Sequence, residues 1–257
     1  MLAKTRQEQI RGILRAEGAV TTARLMQEFD VSVETVRRDL LALEQAGVLR
    51  RVHGGALTVN EMMPYQPLTS RSKAQTPQKD ELCQNAAQFV KEGDYISIGT
   101  GSTPIHFART LRQKFRNLTV VTYSHRVFEE LKNAPGFQLI LVGGLLDREE
   151  EAFSGPLTQE MYSQLHVQKA FVFPSAISLE HGCGGYEQNL YPLQRLALQH
   201  CDQAYILADS SKFEHKALFK VDDMRPEYVY VTDSQLPAEL VRLYEENGLT
   251  VITGREK

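Results

Sequence analysis

The chain has 257 residues, 42% hydrophobic and 24% charged, with a formal net charge of −3. Its length suits two domains, and its composition is that of an ordinary globular protein, neither disordered nor collagenous. No apolar run approaches the 18 or more residues of a membrane span, the polar N-terminus has no signal-peptide core, and three widely spaced cysteines make no disulfide framework.

Charge is unevenly placed. Residues 1–58 carry nine Lys/Arg against seven Asp/Glu, and the remainder carries twenty against twenty-five. A mildly basic head on an acidic body suits DNA binding by the head alone. Cysteine usage fits a reducing cytoplasm, so a cytoplasmic protein without membrane contact is expected.

Ile10, Ile13 and Leu14 recur at helical spacing, which predicts a helix from Thr5 to about Glu17, stopped by Gly18. Thr21 or Thr22 can cap a second short helix ending near Phe29. Ser32 caps a third that runs to Gly47, with Val33, Val36, Leu40 and Leu43 on one face. Glu34, Thr35 and Arg38 fall opposite, with Arg37 at the border. Two short helices with the second cationic outline a helix-turn-helix, whose recognition helix offers such groups to base edges in the major groove. Arg38 is the candidate for a guanine contact, and Arg37 for a phosphate or an intramolecular carboxylate; Thr21, Thr22 and Ser32 at the helix starts are also expected among the DNA-binding residues. Two β-prone runs then flank Gly54-Gly55, a hairpin that carries Arg50, Arg51 and His53 as a basic wing for the phosphate backbone.

Asn60 to Gln78 holds Pro64, Pro67 and Pro77 and reads as an exposed connector, the one mechanical link from head to body that the sequence offers besides whatever subunit contact the body makes. Strand-like and helix-like segments alternate beyond it. Strands are expected at Tyr95–Ile98, Leu118–Val121, Phe137–Val142, Lys169–Phe173, Ala204–Ala208, Tyr228–Val231 and Leu249–Ile252. Helices are expected at Gln78–Lys91, Thr103–Lys114, Ser124–Lys132, Asn189–His200 and Pro237–Asn247. That order predicts a mostly parallel, Rossmann-like α/β sheet covered on both faces. The domains are then 1–58 for the winged helix-turn-helix, 59–78 for the connector and 79–257 for the α/β body.

Ligands of such sheets sit beyond the carboxyl ends of the strands. Four polar or glycine-rich segments fall there: Gly99-Thr100-Gly101-Ser102-Thr103, Thr122-Tyr123-Ser124, Gly143-Gly144 and Asp209-Ser210-Ser211-Lys212. Gly99 and Gly101 let backbone N–H groups approach an anion. Ser102 and Thr103 add hydroxyls, the following helix points its positive end there, and Lys212 adds charge. The expected effector site therefore comprises Gly99, Thr100, Gly101, Ser102, Thr103, Thr122, Ser124, Gly143, Gly144 and Lys212, with Lys212 remote from the head. The loop lacks the lysine of a Walker A sequence, and no cofactor site is expected. His181 and Cys183, with Cys201 or His200, do not have zinc-site spacing, so no metal is expected. Glu149-Glu150-Glu151 reads as a solvated run.

Val31-Ser32-Val33-Glu34-Thr35-Val36-Arg37-Arg38-Asp39-Leu40, followed by Leu43-Glu44, Gly47, Leu49, Arg51 and His53-Gly54-Gly55-Ala56, resembles the N-terminal signature of the DeoR family of bacterial regulators. Asp94 to Thr103, Thr122-x-Ser124, Gly143-Gly144 and Ala208-Asp209-Ser210-Ser211-Lys212-Phe213 resemble its sensor domain. That domain is similar in fold to ribose-5-phosphate isomerase, and Gly99–Thr103 is similar to that enzyme's phosphate loop. The resemblance implies a regulator, usually a repressor, of a sugar-metabolism operon. Its implied partners are double-stranded operator DNA, a phosphorylated sugar effector and further copies of itself. The sequence departs from the family at Pro174-Ser175-Ala176-Ile177, Gly182-Cys183-Gly184-Gly185-Tyr186 and Asn189, expected at the sugar end of the pocket. The rival reading is a sugar-phosphate isomerase. The Asp-Gly-Ala-Asp segment of that enzyme is replaced by Pro174-Ser175-Ala176-Ile177, which has no ionisable group, so no catalytic residue is assigned.

Overall fold

The computed structural model describes residues 1–52, 54–58, 61–62 and 64–254, so His53 of the wing lies outside the described residues. The head runs α1 (Ala3–Glu17), β1 (Ala19–Thr21), α2 (Thr22–Phe29), α3 (Val33–Gln45), β2 (Leu49–Val52) and β3 (Gly55–Thr58). Gly18 ends α1 in the left-handed region, Thr21 caps α2 through the Arg24 N–H, and Ser32 caps α3 through the Thr35 N–H. Ile10, Leu14, Leu25, Val36, Leu40, Leu43 and Leu49 form the core of the head.

Two details depart from the helical pattern. Val33 is exposed at the first position of α3. Asp39, a charged residue flanking the apolar face beside Leu43, is buried and pairs with buried Arg6 of α1 at 2.5 Å. The ion pair thus fixes the crossing of α1 and α3, which apolar periodicity could not reveal. The wing is three-stranded because β1 joins the hairpin in the order β1-β3-β2. Gly55 makes this possible, since a Cβ there would lie 2.2 Å from the Val20 carbonyl oxygen.

The chain continues through β4 (Glu61–Met62), α4 (Leu68–Arg71), α5 (Thr76–Ala87), β5 (Tyr95–Ile98), α6 (Ser102–Lys114), β6 (Leu118–Thr122), α7 (His125–Leu131) and β7 (Phe137–Leu141). A small hairpin, β8 (Leu145–Asp147) and β9 (Ala152–Ser154), leads to α8 (Pro156–Ser163) and β10 (Val167–Val172). Then follow β11 (Ala176–Ser178), β12 (Gly182–Gly185), α9 (Tyr191–Gln199), β13 (Cys201–Leu207) and a 3₁₀ turn at Ser210–Lys212. The chain closes with β14 (His215–Lys216), β15 (Phe219–Asp222), β16 (Val229–Val231), α10 (Ala238–Glu246) and β17 (Thr250–Ile252).

Seven strands form the main sheet in the order β17-β16-β13-β10-β5-β6-β7, every neighbour parallel. Buried apolar side chains cover both faces, with Ile98, Phe107 and Phe171 in one cluster and Val121, Val172 and Ile206 in the other. This is the Rossmann-like arrangement expected. From β5 the chain runs outward to β7, then crosses back to place β10 on the other side of β5. The crevice at such a switch point is where an α/β sheet binds its ligand.

The connector is not simply exposed. Leu68 of α4 is buried, and the buried Lys79 of α5 donates to the carbonyls of Arg71 and Ala74. Nor is the connector the one link between head and body. Leu57 of the wing joins an apolar cluster of the body and Arg50 pairs with Glu214, while within the connector β4 pairs in parallel with β14 of the body. Lys212 is therefore close in sequence to a contact with the head, contrary to expectation.

Candidate functional site

On the head, α3 presents Glu34, Arg37 and Arg38 to solvent, with Thr35 half-buried beside them. Thr21, Thr22 and Ser32 lie at helix starts, and the hydroxyls of Thr21 and Ser32 are used as caps. The wing arginines are more committed than sequence suggested. Arg51 donates to Glu44 at 2.6 Å through Nε and at 2.8 Å through its backbone N–H, bracing β2 against α3. This contact holds the Glu44 carboxyl below its usual range. Arg50 is half exposed but faces the Glu214 carboxylate at 3.5 Å.

In the body, a cavity of about 420 Å³ opens beyond the carboxyl ends of β5, β10 and β13. Ser102 at the start of α6, Ser175 after β10, and Asp209, Ser211 and Lys212 after β13 line it. Gly101 takes φ +126° at the N-cap of α6 and has no side chain to cap the helix. The first-turn N–H groups are thus left for a ligand. Thr103 Oγ1 is buried there without a hydrogen-bond partner among the described residues. Gly99 packs against Tyr123, whose hydroxyl would stand 3.2 Å from a Cβ.

Not all the predicted site residues meet. Thr100 donates to the Glu150 carbonyl at 3.3 Å, and its hydroxyl lies 3.5 Å from that of Ser124. Ser124 caps α7, Thr122 accepts from the Ser124 N–H, and both are fully buried behind the loop. Gly143 and Gly144 do not line the cavity. A Cβ on Gly144 would collide with Thr158, so this glycine serves the packing of α8. The reason is strand order: β6 and β7 lie on the far side of β5 from the crossover, so their loops share the sheet edge but not the crevice.

The connector supplies what sequence reading missed. Arg71 and Lys79 line the cavity with Lys212, and a Cβ on Gly101 would lie 3.7 Å from Arg71 Nη1. Arg71 is held by an ion pair with Glu150, by the Gln66 carbonyl at 2.8 Å and by Glu187 at 3.6 Å. Glu150 is therefore a buried partner and not part of a solvated run. The Asp147 carboxylate accepts from the N–H groups of Glu149 and Glu150, and the resulting turn directs Glu150 inward. Burial pushes the Glu150 carboxyl up, with Arg71 opposing. Burial also lowers the Lys79 ammonium to about 8, opposed by Asp209 and reinforced by Lys212 and Arg71. Lys212, 3.3 Å from the Pro174 carbonyl, is lowered by burial too, with Asp209 opposing. Three cations, two of them held below their usual range, stand with Asp209 and Glu187 around an open helix N-terminus, an arrangement that can take an anion.

At the other end of the cavity stand Tyr65, Tyr186 and Glu187. Of the positions where the sequence departs from family pattern, Ser175 and Tyr186 reach the cavity, while Ala176, Ile177 and Cys183 are buried in β11 and β12 and Asn189 is exposed. Among the described residues, no group of His, Cys, Asp and Glu could hold a metal ion, and no helix is long and apolar enough to cross a membrane.

A winged helix-turn-helix joined to an α/β body with a polar cavity at its sheet edge is the build of a ligand-responsive DNA-binding regulator. Residues 6–62 match the DeoR-like helix-turn-helix domain, and residues 74–234 match the DeoR C-terminal sensor domain. The chain is 31% identical to Transcriptional repressor AccR of Agrobacterium fabrum over 231 residues, 89% of each chain. It is 31% identical to the Lactose phosphotransferase system repressor of Lactococcus lactis over 238 residues, 92% of this chain and 93% of that one. Ribose 5-phosphate isomerase A of Methanocaldococcus jannaschii aligns with 52% of this chain and 53% of its own, at 17% identity and a TM-score of 0.40. The chain belongs to the DeoR family of bacterial transcriptional regulators. It is a DNA-binding regulator and not an enzyme.

Proposed function

We propose that this protein is a cytoplasmic repressor of a sugar-metabolism operon, released from or fixed on its operator by a phosphorylated sugar. The observation that carries this reading is the meeting of Arg71, Lys79 and Lys212 with the uncapped start of α6. The phosphate binds the N–H groups of Gly101 to Thr103 and the hydroxyls of Ser102 and Thr103, and the three cations neutralise it. The sugar extends toward Tyr65, Tyr186 and Glu187, where a carboxylate accepts from hydroxyls. Two relatives are named as repressors, which supports repression, and one of them as the repressor of a lactose phosphotransferase system, which supports the sugar-operon reading. On the head, Glu34, Thr35 and Arg38 meet base edges, and Arg37 and the wing meet phosphates. Thr21, Thr22 and Ser32 fix the two helices that straddle the groove. Helix-turn-helix proteins commonly read paired half-sites, so a homo-oligomer, dimeric or tetrameric, binds the operator.

Thermal shift with a panel of sugar phosphates and their parent sugars tests the assignment. One or more phosphates should stabilise the protein, by about 2.7 kcal/mol at a hundred times the Kd. The parent sugar should have almost no effect. Equal stabilisation by a parent sugar would overturn the phosphate site.

A further inference from the structure

Glu214 is a buried carboxylate whose cationic contact comes from the other domain. Its side chain is 3% exposed and stands between Tyr244 Oη, which donates at 2.8 Å, and Arg50 Nη2 of the wing at 3.5 Å. The residue holds φ +59°, a left-handed conformation that a non-glycine residue keeps only where its surroundings enforce it. Phe213 before it is buried, stacks at an angle on Tyr244 and bridges to Ile177. His215 after it pairs with the segment entering from the head. The backbone is thus clamped so that one carboxylate faces the wing. Arg50 is half exposed, on the strand where an arginine would reach a DNA phosphate.

The same short segment has a second face. Asp209, Ser211, Lys212 and His215 line the anion cavity, while Phe213 and Glu214 meet the head: a Cβ on Gly18 would touch the Phe213 carbonyl. We propose that Glu214 is a latch that captures the wing arginine Arg50 in competition with a DNA phosphate, and that residues 209–216 tie this capture to the anion cavity. The buried carboxylate cancels the charge of Arg50 and fixes the orientation of the head. Releasing the latch returns one cation to the DNA-facing wing. The tie to the cavity rests on the phosphate reading above; the latch itself does not.

Binding of a short mixed-sequence DNA duplex, followed against salt concentration, reads the latch without knowledge of the operator. Glu214→Gln keeps the shape and the Tyr244 contact but removes the charge. It should bind the duplex roughly 3–10-fold tighter, with a log–log salt slope steeper by about 0.9, one further phosphate neutralised. Arg50→Gln should bind no tighter than wild type, and the double variant should match Arg50→Gln. Unchanged or weaker binding by a folded Glu214→Gln variant, with the wild-type slope, overturns the latch. Arg50 is on the surface, so Arg50→Gln serves if Glu214→Gln does not fold. Spin labels at Gln45 and Glu246 should then give a broader distance distribution than in the parent chain, and an unchanged distribution overturns the latch equally. Inorganic phosphate, at ionic strength held constant with chloride, should shift that distribution in the parent chain and not in Lys212→Ala. If the latch results hold and phosphate shifts nothing, the tie to the cavity is overturned and the latch stands.

Discussion

Arginines of similar promise in the sequence have different roles in the fold. Arg6 is buried against Asp39, Arg51 braces Glu44 and Arg50 faces Glu214, whereas Arg38 stands exposed on α3. Arg38→Ala should therefore weaken operator binding by about 1–3 kcal/mol and relax sequence preference. Competition between operator and scrambled duplexes checks this, and equal losses on both would remove its base-reading role. Lys79 sets a pH dependence. Its ammonium titrates at about 8 because burial disfavours the charge, and Asp209, Lys212, Arg71 and Cys83 are its ionisable neighbours. A bound phosphate favours the charged form, so binding is tightest below pH 8 and falls as pH rises through it. The same depressed value makes folding stability rise with pH between about 8 and the ordinary lysine value near 10.4, since the unfolded chain holds more protons there. Calorimetric titration of a sugar phosphate between pH 7 and 9 checks the binding trend, and a constant affinity across that range contradicts it.

At the scale of elements, legibility followed the locality of the signal. The strands of the parallel sheet are apolar runs bounded by turn residues, and β5 falls at Tyr95–Ile98 as the sequence predicts. The three helices of the head are marked by their caps, Thr21, Ser32 and Gly18. What escaped has partners far away in sequence. β1 is three residues held by β3, and β12 is Gly182–Gly185, with little strand propensity of its own, held between β11 and β15. Of the candidate cavity, little was legible: of the ten residues the sequence offers, Ser102 of the glycine loop and Lys212 line it, and both follow buried strands that topology could place. Arg71 lies in a proline-bearing connector without period, and ion pairs with Glu150, 79 residues away, and with Glu187 hold it at the cavity. Gly55 tests the wing as an element. Alanine there meets the Val20 carbonyl at 2.2 Å, so β1 and β3 must separate. Gly55→Ala should destabilise the head by about 1–3 kcal/mol. DNA binding should be lost on heating while a sugar phosphate still stabilises the body, and wild-type DNA affinity across the melting range would show that the close approach is not needed.

For the molecule as a whole, the head and body are joined by more than a connector. Arg71 runs from the connector into the cavity, and residues 209–216 run from the cavity to the wing. An effector can change DNA occupancy only if it binds the two arrangements with different affinity, and both routes supply contacts that an anion would alter. Under the proposed function, phosphate drawn to Arg71 would compete with Glu150 and Glu187, and phosphate drawn to Lys212 would act on the segment that carries Glu214. On that proposal the fold of the head stays the same and its placement is what the effector would change. The most direct measurement is operator affinity, on DNA that the protein itself selects from a random duplex pool, with and without the sugar phosphate that stabilises it most. The account predicts a change of about 5–150-fold in the wild type, the usual range of allosteric coupling, and almost none in Lys212→Ala. A Lys212→Ala protein that responds as fully as wild type at the same effector concentration would contradict it.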